Sequence, residues 1–126
     1  MISPHKRPVY LNLLQIRQPV TAVLSILHRL TGVLMTLLLP GVIYLLALSL
    51  QSEEGFSRAS EFLQLGTVRF FAVLLVWVLT HHLLAGIRFL LLDFDLGVSR
   101  AVARKTAWLT HVAAIIVTVF AAGVLF

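Results

Sequence analysis

Between Leu30 and Leu50 the chain carries no charged side chain. Roughly 20 residues of helix cross the ~30 Å of a bilayer's hydrocarbon, so this run alone is long enough to span a membrane. Two further apolar runs follow, from about Val68 to Leu92 and from about Thr106 to Phe126. With 60% apolar and 12% charged residues and a mean hydropathy of +0.99, the composition lies far outside that of a soluble domain. The reading is an all-α membrane protein of three transmembrane helices.

Residues 1–19 are more polar, with Lys6, Arg7 and Arg17, and the prolines at 8 and 19 disfavour helix just before them. Pro19 itself suits a first helical turn, where no backbone donor is needed. The first span then covers about 20–50, longer than a bilayer requires. The surplus lies at its start, where Ser25, His28 and Arg29 interrupt the apolar pattern, so Leu30–Leu50 is placed in the bilayer and Pro40 marks an expected kink. A cleaved signal peptide is the competing reading, but its apolar core is usually about 7–15 residues. Nor does the start resemble an Arg-rich, Ser-rich transit peptide, which favours a bacterial protein.

Residues 51–67 form an external loop. Phe56, Ala59, Phe62 and Leu63 within it are spaced for one face of a short amphipathic helix lying on the membrane. The second span covers about 68–92, a loop 93–105 follows, and the third span covers about 106–126. Lys6, Arg7, Arg17, Arg29, Arg100, Arg104 and Lys105 lie on one side, against Arg58 and Arg69 on the other, which puts the N-terminus in the cytoplasm. The net charge of +5 comes from these flanking residues and forms no basic patch, so nucleic acid is not an expected partner.

Thr80–Asp93 sets two histidines, an arginine and an aspartate in or beside an apolar run, where each is costly without a partner. At about 100° per residue, His82, Gly86, Phe89 and Asp93 share one helical face, and His81, Ala85, Arg88 and Leu92 share the next. The chain has no cysteine, so any haem would be held by histidine. A porphyrin needs small residues near its ligand, and Gly86, one turn from His82, offers more relief than Ala85 offers His81. His28 and His111 read as shallower than His82, which sends the second axial ligand to another chain and leaves His111 as a helix contact or an interfacial residue. Arg88 suits a propionate, a carboxylate such as Asp93, or a lipid phosphate. Ser25, His28, Arg29 and Gly32 share a face near the start of the first span, suited to an anionic or carbonyl-bearing ligand.

Arg7-Pro8-Val9, Ser25-Ile26-Leu27-His28-Arg29-Leu30-Thr31-Gly32, His82-Leu83-Leu84-Ala85-Gly86-Ile87-Arg88 and Leu92-Asp93-Phe94 together resemble the cytochrome b subunits of succinate dehydrogenase. The resemblance covers nearly the whole chain. It implies the larger of two membrane anchors of a succinate:quinone oxidoreductase of the tricarboxylic acid cycle, in the bacterial inner membrane. The implied partners are a flavoprotein that oxidises succinate, an iron-sulfur subunit that delivers electrons, and a second small anchor subunit. It implies haem b shared with that second anchor, with His82 as axial iron ligand and His28 and Arg29 on the propionates. Ser25 and Arg29 would line the ubiquinone pocket, where a hydroxyl can bond a quinone carbonyl and a guanidinium can stabilise charge arriving on it. Phe89 stands where many members have a second histidine, and Asp95 replaces a common glycine. The alternative function is a haem-free structural anchor whose histidines tie helices together. A small transporter is disfavoured, because no inverted repeat or broken midplane helix pair is visible.

Overall fold

A computed structural model describes residues 16–126, so Lys6, Arg7 and the Arg7-Pro8-Val9 segment lie outside the described residues. Four helices follow one another: α1 (Val20–Gln51), α2 (Glu53–Gln64), α3 (Gly66–Asp93) and α4 (Arg100–Leu125). Among the described residues there is no strand. Three of the helices, α1, α3 and α4, are long and apolar enough to cross a membrane. α1 and α4 run in one direction and α3 returns between them, packed against both, while α1 and α4 also meet.

α1 starts directly after Pro19 and runs unbroken through Pro40, which has no N–H to give to the preceding turn. Ser25, His28 and Arg29 therefore belong to the same continuous rod as Leu30–Leu50. α2 is the expected short amphipathic helix. The Ser52 hydroxyl caps it by accepting from the Gly55 amide at 3.0 Å, and Glu53 and Glu54 lie in its first turn, where the helix dipole favours them. Its inner face is made of small residues: Gly55 and Ala59 are buried, and a Cβ on Gly55 would overlap the Leu48 carbonyl oxygen of α1. Phe56, Phe62 and Leu63 remain exposed on α2, an apolar surface suited to lipid.

The helix that carries the third apolar run starts ahead of that run, at Arg100, so the turn from α3 to α4 is short. The amide of Leu96 bonds the Leu91 carbonyl at 2.9 Å and the amide of Asp95 bonds that of Leu92 at 3.0 Å, which is the Schellman arrangement. That motif needs a left-handed residue at its apex, and Asp95 supplies it with φ 60°. Glycine adopts this conformation without a steric penalty, which accounts physically for a glycine in the pattern the chain resembles. At the start of α4, Arg100, Arg104 and Lys105 oppose the helix dipole, and Ser99 makes no side-chain cap. Their placement answers to the membrane surface and not to helix stability.

The helices approach closely through small residues. Leu24, Ala85 and Ala107, one from each spanning helix, are fully buried against one another, with Val20 and Phe89 packed on them. Leucine, isoleucine and phenylalanine side chains cover most of the outer surface. That distribution is the one expected where lipid is the solvent and packing needs close backbones.

Candidate functional site

The two faces of α3 separate by partner. Val78, His81, Ala85 and Arg88 are its buried positions, and the polar pair among them turns to α4. His81 Nε2 lies 3.2 Å from His111 Nδ1, with the two rings 5.2 Å apart. Trp77 lies 5.2 Å from the His81 ring and Trp108 lies 6.2 Å from that of His111, so two indoles flank the pair. Arg88 Nε donates to Thr106 Oγ1 and its Nη2 to the Ala103 carbonyl, both at 3.0 Å. This arginine pins the end of α3 to the first turns of α4. It is neither paired with Asp93 nor extended to a headgroup, because α4 starts early enough to offer it a carbonyl and a hydroxyl.

One nitrogen on each member of the histidine pair, His81 Nδ1 and His111 Nε2, is buried without a hydrogen-bond partner among the described residues. Replacing His111 by leucine would leave the remaining His81 nitrogen unpaired as well. The expected cost is about 1–3 kcal/mol. The double replacement His81→Phe with His111→Leu removes both ends of the bond and should be less damaging than the sum of the single changes. Thermal unfolding of the wild type, the two single variants and the double variant in detergent checks this; strictly additive losses would mean that the imidazoles do not depend on one another.

The other face of α3 meets α1 through a reciprocal contact. His28 and His82 stack with ring centroids 4.2 Å apart and planes 13° from parallel. Each ring also sits on the other helix's glycine. A Cβ on Gly32 would lie 3.1 Å from His82 Cε1, and a Cβ on Gly86 would lie 3.5 Å from His28 Nε2. In antiparallel helices the spacing His28–Gly32 on one strand of the pair and His82–Gly86 on the other makes this exchange possible. Gly86 therefore relieves the His28 ring, where the sequence reading assigned its space to a porphyrin. Phe89 completes the contact, with its ring edge toward His28 at 5.2 Å.

His82 is held in one tautomer. Its Nδ1 lies 3.1 Å from the His28 carbonyl oxygen, which can only accept, so Nδ1 carries the proton and Nε2 the lone pair. Nε2 is thus the nitrogen able to bind a metal. Among the described residues there is no cluster of three or more His, Cys, Asp or Glu side chains able to hold a metal ion.

The stacking also corrects the depth estimate. His28 and His82 lie at one level, and His111 lies at the level of His81 next to it. Hydropathy boundaries at 30 and 106 make His28 and His111 look shallow, whereas the helices start at Val20 and Arg100. Even so, His28 cannot serve as the opposing ligand to His82. Lone pairs lie in the ring planes, and two planes stacked face to face cannot aim at one ion from opposite sides.

Arg29 is exposed, and with Gly32, Val33, Thr36 and Leu37 it lines a shallow hollow on the outer side of α1. Ser25, one turn earlier, is half-buried and does not line that hollow. Thr31 was missed by the sequence reading as a site residue. It is fully buried, and its hydroxyl meets both the His28 backbone carbonyl and the His82 ring. Its spacing, three residues after His28 and one before Gly32, was the available signal.

These features define a multi-pass helical membrane protein in which paired imidazoles join the spanning helices and one of them, His82, is held through its Nδ1. Residues 3–122 match the family model for the succinate dehydrogenase/fumarate reductase transmembrane subunit. The succinate dehydrogenase cytochrome b556 subunit of Coxiella burnetii (strain RSA 493 / Nine Mile phase I) is similar, with 33% identity over 117 residues covering 92% of this chain and 94% of that relative. The chain belongs to this family of transmembrane subunits, and so is a membrane component of an enzyme complex.

Proposed function

We propose that the chain is the larger membrane anchor of a bacterial succinate dehydrogenase, holding haem b and passing electrons from an iron-sulfur subunit to ubiquinone. The observation that carries this reading is the Nδ1–H of His82 held on the His28 carbonyl, which leaves Nε2 free to bind iron. The relative's name, cytochrome b556, supports a haem in this family position. The opposing axial ligand would come from the second small anchor, since the stacked His28 is excluded. Bound haem would supply a one-electron store beside the quinone.

His28 and Arg29 would meet the propionates, and Ser25 with Arg29 would bind the quinone carbonyl. Arg29 is suited to that task because it is exposed at an apolar hollow, where a guanidinium can reach a partly buried oxygen. The flavoprotein and iron-sulfur subunits would dock on the cytoplasmic side, where the N-terminus and the basic start of α4 lie. Proton uptake by the reduced quinone would then occur from that same side.

In the purified complex, Ser25→Ala and Arg29→Leu are each expected to lower quinone reduction at least tenfold. Succinate oxidation with a soluble acceptor should persist. Wild-type quinone kinetics in both variants would remove the two residues from the site. A haem-free anchor is the second reading, favoured by the way each glycine hollow between α1 and α3 is filled by an imidazole. A dithionite-reduced minus oxidised spectrum of the complex separates the two, since only the first gives a b-type band.

A further inference from the structure

Thr31 is fully buried in α1, facing α3. Its hydroxyl donates to the His28 carbonyl at 2.9 Å, the usual way for a helical threonine to satisfy its proton. With that proton committed, Oγ1 has only lone pairs left to offer, and His82 Nδ1 lies 3.2 Å from them. The His28 carbonyl and the Thr31 hydroxyl are therefore both acceptors toward the same N–H. Thr36, five residues on, makes a similar bond to the Gly32 carbonyl at 3.0 Å but is exposed. Back-bonding alone thus does not explain why Thr31 is buried against an imidazole.

We infer that Thr31 is a positioning residue for His82: with the His28 carbonyl it forms a two-acceptor clamp that fixes the Nδ1–H tautomer and makes Nε2 a stronger donor to iron. The inference rests on the haem reading for its consequence, though the clamp itself belongs to this chain alone. A shared N–H pulled by two acceptors pushes electron density toward the opposite nitrogen, which favours the ferric state. Gly32 confines the same ring from below, since any Cβ there would press on Cε1. Position, rotation and protonation of the imidazole are then all set by Thr31, Gly32 and the His28 backbone, within five consecutive residues of α1.

The test is made on the intact complex with Thr31→Val, which keeps the shape and removes the acceptor, and Thr31→Ser, which keeps the acceptor and removes the methyl. Potentiometric titration should show the haem midpoint moved upward in Thr31→Val and returned to wild type in Thr31→Ser. Low-temperature electron paramagnetic resonance of the ferric haem should shift in the first variant only. If Thr31→Val does not assemble, Thr31→Ala must show the upward shift. An intact b-type band with wild-type midpoint and resonance in Thr31→Val, or in Thr31→Ala, overturns the clamp while leaving the haem reading in place. Absence of a b-type band from the wild-type complex overturns both. Nitrogen-15 spectra of histidine-labelled complex stripped of haem give an independent readout. His82 Nδ1 should stay protonated on the His28 carbonyl in both proteins, but with one of its two acceptors gone the His82 ring-nitrogen resonances should move in Thr31→Val; unchanged resonances there also overturn the clamp.

Discussion

Replacing His82 by alanine is expected to abolish the b-type absorbance band of the complex. No other imidazole of the described chain can take over. The His28 ring lies over Gly86 with the Phe89 ring edge beside it, while His81 is fully buried toward α4 and bonded to His111. The loss should be nearly complete, because a haem held as proposed would lose the bond that this chain supplies and keep only packing against it. The cavity left beside the Gly32 backbone has the shape of an imidazole, so adding free imidazole to the variant should restore part of the band. His28→Ala offers the contrast. It removes a stacked ring but leaves the His28 carbonyl in place, and should keep the haem while loosening it. A complete haem spectrum in His82→Ala would remove this residue as a ligand.

The second large effect is expected at the glycines, and it is asymmetric. Gly32→Val places a Cβ 3.1 Å from His82 Cε1 and adds two methyl groups beyond it, so α1 and α3 must separate or the imidazole must leave its seat. Overpacking a close helix contact typically costs about 1–3 kcal/mol, and here the same displacement breaks the bond from His82 to the His28 carbonyl. Loss of the b-type band together with a lower unfolding temperature is expected. Gly86→Ala, by contrast, puts its methyl 3.5 Å from His28 Nε2, an ordinary van der Waals distance, and should be tolerated. Equal sensitivity at the two positions would mean that the reciprocal seating is not what holds the rings.

Much of this arrangement was legible in the residues alone. The two polar faces of α3 follow from helical spacing, and the structure directs one to α1 and the other to α4. The short amphipathic helix followed from the spacing of its apolar residues, and its start is secured by Ser52 and two glutamates. Depth was misread because hydropathy locates lipid, whereas α4 extends its backbone through Arg100, Arg104 and Lys105 before reaching it. The destination of Arg88 was missed for a related reason. Its partners, Ala103 and Thr106, were assigned to a loop and a span edge, not to a helical turn beside α3. The exchange of imidazole for glycine between α1 and α3 requires knowing which helices touch, and no single-helix periodicity contains that information.

Because each imidazole rests in the notch of the opposite helix, α1 cannot slide along α3 by even part of a turn without unseating both rings together. The vertical interval between His82 and Arg29, which follows His28 in the chain, is consequently rigid. Tilting of the bundle in membranes of different thickness would carry the two groups as one body. If haem and quinone are held at these two positions as proposed, their separation would stay constant, and a tunnelling rate that depends steeply on distance would be insulated from fluctuations of the surrounding lipid.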